Sequence, residues 1–148
     1  MSASICPSNE MIFPCTCQIE VKKAEIRCDG RVGESVTQKS VSEAIRVTRL
    51  AQNLASTAIL PLFEFDLLYT DLTQLDLTPF INVSMDYLDI QSNSILTSLV
   101  GPLLDEGSVG QIRVKRLEIS YNPKLTDSGS GFKYLSVPDV QFCILFNV

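Results

Sequence analysis

Four of the five cysteines fall within the first 28 residues: Cys6, Cys15, Cys17 and Cys28, in the order C-x8-C-x-C-x10-C. Thiols this dense in a short terminal segment either pair as disulfides in an oxidising compartment or hold a metal ion. A zinc site of four thiolates is usually built on a C-x2-C knuckle that lets two sulfurs converge on one ion, whereas the close pair here is C-x-C. The chain has no histidine to complete a mixed site. Disulfides are therefore the expected state, with no metal and no other cofactor, and three pairings stay open from the residues alone. The fifth cysteine, Cys143, lies in the apolar stretch FCILF, either as a buried packing residue or as a free or intermolecular thiol.

Carboxylates are the other candidates for chemistry. Asp86 and Asp89 stand three apart in an extended stretch, which puts them on opposite sides or in different columns and not in one acid/base pair. Without histidine the usual proton shuttle near neutral pH is missing. Ser92 has no candidate base, and Gly30, Gly33, Gly129 and Gly131 match no phosphate-binding loop. The expectation is a protein that is not an enzyme.

The elements that must position these residues carry a repeated pattern. Met85–Leu96 (MDYLDIQSNSIL) and Val114–Leu125 (VKRLEISYNPKL) both follow an apolar residue with apolar, apolar, Asn and Leu at offsets 3, 5, 8 and 11. In the first copy these are Met85, Leu88, Ile90, Asn93 and Leu96; in the second, Val114, Leu117, Ile119, Asn122 and Leu125. Leu88 and Ile90 flank Asp89 as in a short strand of period 2, and each Asn sits where the chain leaves the strand, its amide able to bond neighbouring turns. Leu62, Phe65, Leu67, Thr70 and Leu72 form a weaker copy with Thr in place of Asn; Val137, Val140 and Phe142 fit the first three positions; Ile45 and Val47 suggest an earlier strand. The plainer alternative is a set of ordinary amphipathic strands with Asn in the following turn.

This pattern resembles the leucine-rich repeat. The resemblance implies an α/β leucine-rich-repeat solenoid: a short curved parallel sheet of about five strands with irregular or short helical convex segments and a disulfide-bonded N-terminal cap. It implies a cap over residues 1–30 and about four repeats over residues 31–148, the first irregular. Cys6-Pro7 and Pro14-Cys15-Thr16-Cys17 resemble the cysteine-rich opening of extracellular leucine-rich-repeat proteins, whose pairing implies Cys6 with Cys17 and Cys15 with Cys28. Such proteins commonly close with a second cysteine-rich cap. This chain shows none, which implies an open C-terminal sheet edge and self-association through it, or missing sequence. CPSNEMIFPCTC, FEFDLLYTDLTQLD and NPKLTD are also similar to a group of arthropod secreted leucine-rich-repeat proteins, some described as non-catalytic subunits of a luciferin monooxygenase. That likeness implies a binding or scaffolding role.

In stacked parallel strands, residues at one repeat position form columns on the concave face, roughly 4.8 Å apart. The central column reads Asp66, Asp89, Glu118 and Gln141, headed by Arg46; beside it run Glu64, Tyr87, Arg116 and Asp139, then Phe63, Asp86, Lys115 and Pro138. Tyr69, Ser92 and Tyr121 lie towards the far edge. Acids interleaved with tyrosines suit a basic or polar protein surface, so the expected ligand-binding residues are Asp66, Tyr69, Tyr87, Asp89, Arg116, Glu118 and Tyr121. The alternative is a solvated face on which Lys115 and Arg116 neutralise nearby acids.

With 148 residues, 45% of them hydrophobic and 20% charged, the chain suits one globular unit. A net charge of −5 disfavours nucleic acid and anionic membrane surfaces as partners, and no apolar run is long enough to span a bilayer. MSAS reaches Cys6 with neither a basic nor an apolar region, so the sequence reads as a mature secreted chain with an added Met, or one prepared for expression. Asn82-Val83-Ser84 is a glycosylation acceptor triplet. Within the cap, Gln18–Val21 and Glu25–Cys28 should form a hairpin about Lys22-Lys23. Ser35–Arg49 reads as a short helix or degenerate repeat capped by Ser40 or Ser42, Ala51–Leu60 as helix stopped by Pro61, Val100–Gln111 as an outer loop, and Asp127–Gly131 as a turn.

Overall fold

The first regular element follows from alternation. In Lys23–Asp29 the side chains of Ala24, Ile26 and Cys28 are buried while Arg27 and Asp29 are exposed, the period of two of a half-buried strand. In the computed structural model, which describes residues 6–20, 23–51, 60–101, 112–126, 130–136 and 142–146, this strand (β2) pairs antiparallel with β1, Cys15–Glu20. The register places Cys15 opposite Cys28, and the disulfides are Cys6–Cys17 and Cys15–Cys28. Loops this short restrict the unfolded chain enough that each bridge contributes about 3 kcal/mol. A one-turn helix, α1 (Asn9–Ile12), lies beside β1; Asn9 Oδ1 accepts a bond from the Cys17 N–H at 3.1 Å.

Residues Glu34–Ala51 form an 18-residue helix, α2. Its buried positions, Thr37, Ser40, Val41, Ala44, Ile45 and Thr48, recur at helical spacing, and it packs against α1, β1 and β2. Ser40 Oγ donates to the Phe13 carbonyl at 2.5 Å and Thr37 Oγ1 to the Gly33 carbonyl at 2.9 Å, so two of these inward polar groups are satisfied within the core. The helix starts at Glu34, after Gly33 in the left-handed region (φ 104°), and not at a cap on Ser40 or Ser42. Gly33 N–H donates to Asp71 Oδ2 at 2.9 Å.

The remaining strands are β3 (Leu60–Leu68), β4 (Gln74–Asp76), β5 (Val83–Gln91), β6 (Ser98–Val100), β7 (Ile112–Asn122), β8 (Leu135–Ser136) and β9 (Phe142–Phe146). The main sheet has seven strands in the order β1-β2-β3-β5-β7-β8, with β9 also on β7; five of them, β1, β2, β3, β5 and β7, are long. Only β1 and β2 are antiparallel among the described pairs. Phe65 is in register with Leu88 and Leu88 with Leu117, and Leu67, Ile90 and Ile119 align likewise. The returning segments add a two-stranded parallel sheet of β4 and β6. Inner side chains of both sheets and of α2 share one core, in which the Phe65 and Phe80 rings meet edge to face with centroids 4.7 Å apart.

These findings overturn the expected fold class. The α/β leucine-rich-repeat solenoid required a parallel sheet of about five strands entered through an irregular first repeat, with the cap hairpin outside it, whereas the hairpin's β2 pairs directly with β3. The sheet is mixed, because the Cys15–Cys28 bridge and the Cys15-to-Glu20 register fix an antiparallel hairpin at its start. Where Ile45 and Val47 were expected as a strand, α2 runs instead. The fold is a small mixed sheet with two helices and two disulfides. The last strand also differs from expectation: Phe142, not Val140, pairs with Leu117, and Cys143 takes the place opposite Glu118. Gln141, Pro138, Asp139, Val137, Val140, Lys22 and most of Val100–Gln111 and Ala51–Leu60 lie outside the described residues.

The two asparagines tie the strand ends together. Asn93 Oδ1 accepts from the N–H (3.0 Å) and hydroxyl (2.7 Å) of Thr70, and its amide donates to the carbonyls of Leu67 and Gln91 at 3.1 and 3.0 Å. Asn122 repeats the arrangement, with Oδ1 accepting from Asn93 N–H at 3.0 Å and Nδ2 donating to Ile90 and Ser120 carbonyls at 2.9 Å. Buried backbone groups that no ladder reaches are thereby satisfied.

Candidate functional site: the outward face of the main sheet

Register builds the face. Pairing places Arg27 beside Asp66, Asp66 beside Asp89, and Asp89 beside Glu118. The next column runs Glu25, Glu64, Tyr87, Arg116. Thus Asp66, Tyr87, Asp89, Arg116 and Glu118 are brought together, while Arg46, expected at the head of the central column, sits on α2 and pairs with Glu43 at 2.7 Å. The column is headed by Arg27 because β2, not a strand at Ile45–Val47, neighbours β3. Glu25, Lys23 and Arg27 are the residues that reading by repeat copies missed; the alternation of KAEIRCD was the available signal.

Polar contacts cross the columns. Tyr87 donates its hydroxyl proton to Glu118, and the Arg116 guanidinium stands over the Tyr87 ring, 4.8 Å from its centroid. Asp86 lies between two lysines, Lys23 at 3.1 Å and Lys115 at 3.5 Å. Arg27, in register beside Asp66, pairs with Asp29 at 3.3 Å. Burial pushes the Tyr87 hydroxyl above its ordinary value, with the bond to Glu118 adding to it.

Asp66 is the anomaly of this face. It is only 3% exposed, and its Oδ1 has no hydrogen-bond partner among the described residues. Burial first, then a hydrogen bond to Glu64 and the charges of Glu64, Asp89 and Glu25, push its carboxyl up to about 8. Oxygens of Glu25, Glu64 and Asp66 lie within 4.8 Å of one another. Asp89 is half-buried, its Oδ1 has no hydrogen-bond partner among the described residues, and its carboxyl is raised chiefly by burial, with Glu118 and Glu64 adding and Gln91 and Arg116 opposing.

The tyrosines at the strand ends stand apart from this network. Tyr69 and Tyr121 are 55% and 60% exposed, and both, like Ser92 between them, hold left-handed backbone (φ 55°, 56° and 60°). A residue with a Cβ pays about 1–2 kcal/mol for that conformation, and the buried amide ladder at Thr70, Asn93 and Asn122 immediately follows it. Asn82, the acceptor-triplet residue, is half-buried in the turn before β5, with φ 66°. Cys6, Cys15, Cys17 and Cys28 are all in disulfides, so their sulfurs are not free to ligate zinc.

Comparison with protein-family models, with curated proteins and with solved structures finds no match to this chain.

Proposed function

We propose that the protein is an extracellular recognition module that binds a protein partner carrying a basic surface, using the outward face of its main sheet. The observation that carries this reading is the pair of carboxylates Asp89 and Glu118, in register on β5 and β7 beside the buried Asp66, with Tyr87 and Arg116 alongside and the exposed Tyr69 and Tyr121 at the strand ends. Carboxylates aligned on neighbouring strands repel one another, and a cationic partner relieves that repulsion. Tyrosine offers contact area at low conformational cost with a hydrogen-bonding tip, and the Tyr87 ring is already held by Glu118 and Arg116. Two disulfides are compatible with an oxidising, extracellular setting, and no described helix is long and apolar enough to cross a membrane. The cysteine-rich opening's likeness to that of extracellular repeat proteins supports the same compartment.

The test is affinity capture from extracellular fluid with the folded protein, followed by measured binding of the recovered partner to wild type and to Asp89→Lys/Glu118→Lys. Loss of rim and face charge complementarity should weaken binding by about tenfold or more, chiefly through slower association and at low salt. Unchanged affinity in a variant that keeps the wild-type circular dichroism spectrum removes this face as the binding surface. The competing reading, a self-assembling component joined through the C-terminal edge at β9, gives a concentration-dependent mass by light scattering that the same charge reversals leave untouched.

A further inference from the structure

We infer that Asn82 is an N-glycosylation site, carrying an oligosaccharide at the turn that enters β5. The inference rests on the extracellular reading above for its compartment, and on nothing about which face meets the partner. Asparagine occurs six times in the chain, and only Asn82-Val83-Ser84 places a hydroxyl residue two positions on with no proline between. In the transfer a bond forms between Asn82 Nδ2 and the anomeric carbon of the first sugar. The bond from that carbon to a phosphate oxygen of the donor, a lipid-linked oligosaccharide diphosphate, breaks. The amide gives up one proton and the lipid diphosphate leaves, so the step needs no oxidant or reductant.

Transfer acts on the extended chain, so the fold must afterwards house the product, and the surroundings of Asn82 allow it. Asn82 stands in the turn between the short 3-10 helix Thr78–Phe80 and β5, with φ 66°, a left-handed conformation that asparagine takes more readily than most residues. Asn93 and Asn122 are the contrast: both are fully buried, and their amides bond the carbonyls of Leu67, Gln91, Ile90 and Ser120. A sugar on either would break that ladder, whereas Asn82 is half-buried and lies outside it, so replacing one of its amide hydrogens costs the ladder nothing. Ser84 falls between the buried Val83 and Met85 in the alternation of β5 and is in register with the exposed Arg113 of β7. Tyr69 and Tyr121 lie at the other ends of these parallel strands. With nine residues β5 is about 30 Å long, so a glycan where it begins leaves the tyrosine end of the face open.

The experiment expresses the full chain behind a secretion leader in cultured mammalian cells. Sugar is scored on chain from both cells and medium in which the two cap disulfides have formed. Peptide-N-glycosidase should remove about 2 kDa and convert the Asn82 side chain to a carboxylate, raising the mass of its peptide by about 1 Da. Ser84→Ala leaves Asn82 and its turn in place and should lose the shift; Ser84→Thr keeps the hydroxyl and should retain it. Bridged chain without sugar at Asn82 in either fraction overturns the inference, and if that chain is in the medium the extracellular reading still stands. A shift that persists in Ser84→Ala overturns it as well. Glycosylated chain held inside the cells supports the site and contradicts the extracellular reading.

Discussion

Asp66 concentrates the chemistry of the molecule at one carboxyl group. Its value in the folded protein is about 8 against an ordinary 3.8, with burial the first cause. Below about pH 4 both folded and unfolded chains hold the proton; between there and about pH 8 only the folded chain does, so folding takes up a proton and stability falls as pH rises. Asp89, also raised, acts in the same direction. Glu34, held below its ordinary 4.5 by bonds from Thr73, acts oppositely, but its contribution is complete above that value. The melting temperature should therefore decline from about pH 5 to pH 8, and Asp66→Asn should flatten the decline. A flat wild-type profile contradicts this. Asn93 makes the complementary case: Asn93→Ala strips Thr70, Leu67 and Gln91 of buried partners, and denaturant unfolding should show a loss of about 2–4 kcal/mol. The two asparagines were legible from spacing, since only a turn-forming amide explains their recurrence after each apolar pair. The burial of Asp66 was not, because alternation assigns a face and says nothing of how closely neighbours crowd it.

The elements show where a repeating pattern informs and where it misleads. Offsets 3 and 5 after Leu62, Met85 and Val114 aligned Phe65, Leu88 and Leu117 across three parallel strands, since period 2 with one face buried admits a single register. The same template read Ile45 and Val47 as a strand. The sequence leaves Ser35–Arg49 between a short helix and a degenerate repeat, because the buried face of α2 includes Thr37, Ser40 and Thr48, polar residues that blur a 3.6-residue hydrophobic period, and the structure decides for the helix. The two assignments differ measurably. In a strand Ile45 and Val47 share a face and truncation of either costs alike; in α2 Ile45 is buried and Val47 only partly so. Ile45→Ala should cost about 2–4 kcal/mol and Val47→Ala about 1 kcal/mol or less by urea unfolding. Equal losses contradict the helix. At the far end, the apolar stretch around Phe142 offers several strand registers two residues apart, and the template chose Val140 opposite Leu117 where the sheet has Phe142.

At the scale of the molecule, the antiparallel hairpin bridged at Cys15–Cys28 turns a run of parallel strands into a mixed sheet and carries Glu25 to the edge of the acidic face. What the cysteine spacing left as three pairings, the fold settles as Cys6–Cys17 and Cys15–Cys28. The expected cap hairpin supplies the first two strands of the sheet, so its charged residues Lys23, Glu25 and Arg27 belong to the face it completes. The central proposal is that this face, and not the helical side, meets the partner. The most direct test places a photo-reactive phenylalanine analogue at Tyr121, 60% exposed at the end of β7, and separately at Leu50, 63% exposed on α2, and irradiates each with the captured partner. The account predicts a covalent adduct from position 121 and none from position 50. An adduct from position 50 with none from position 121 would contradict it.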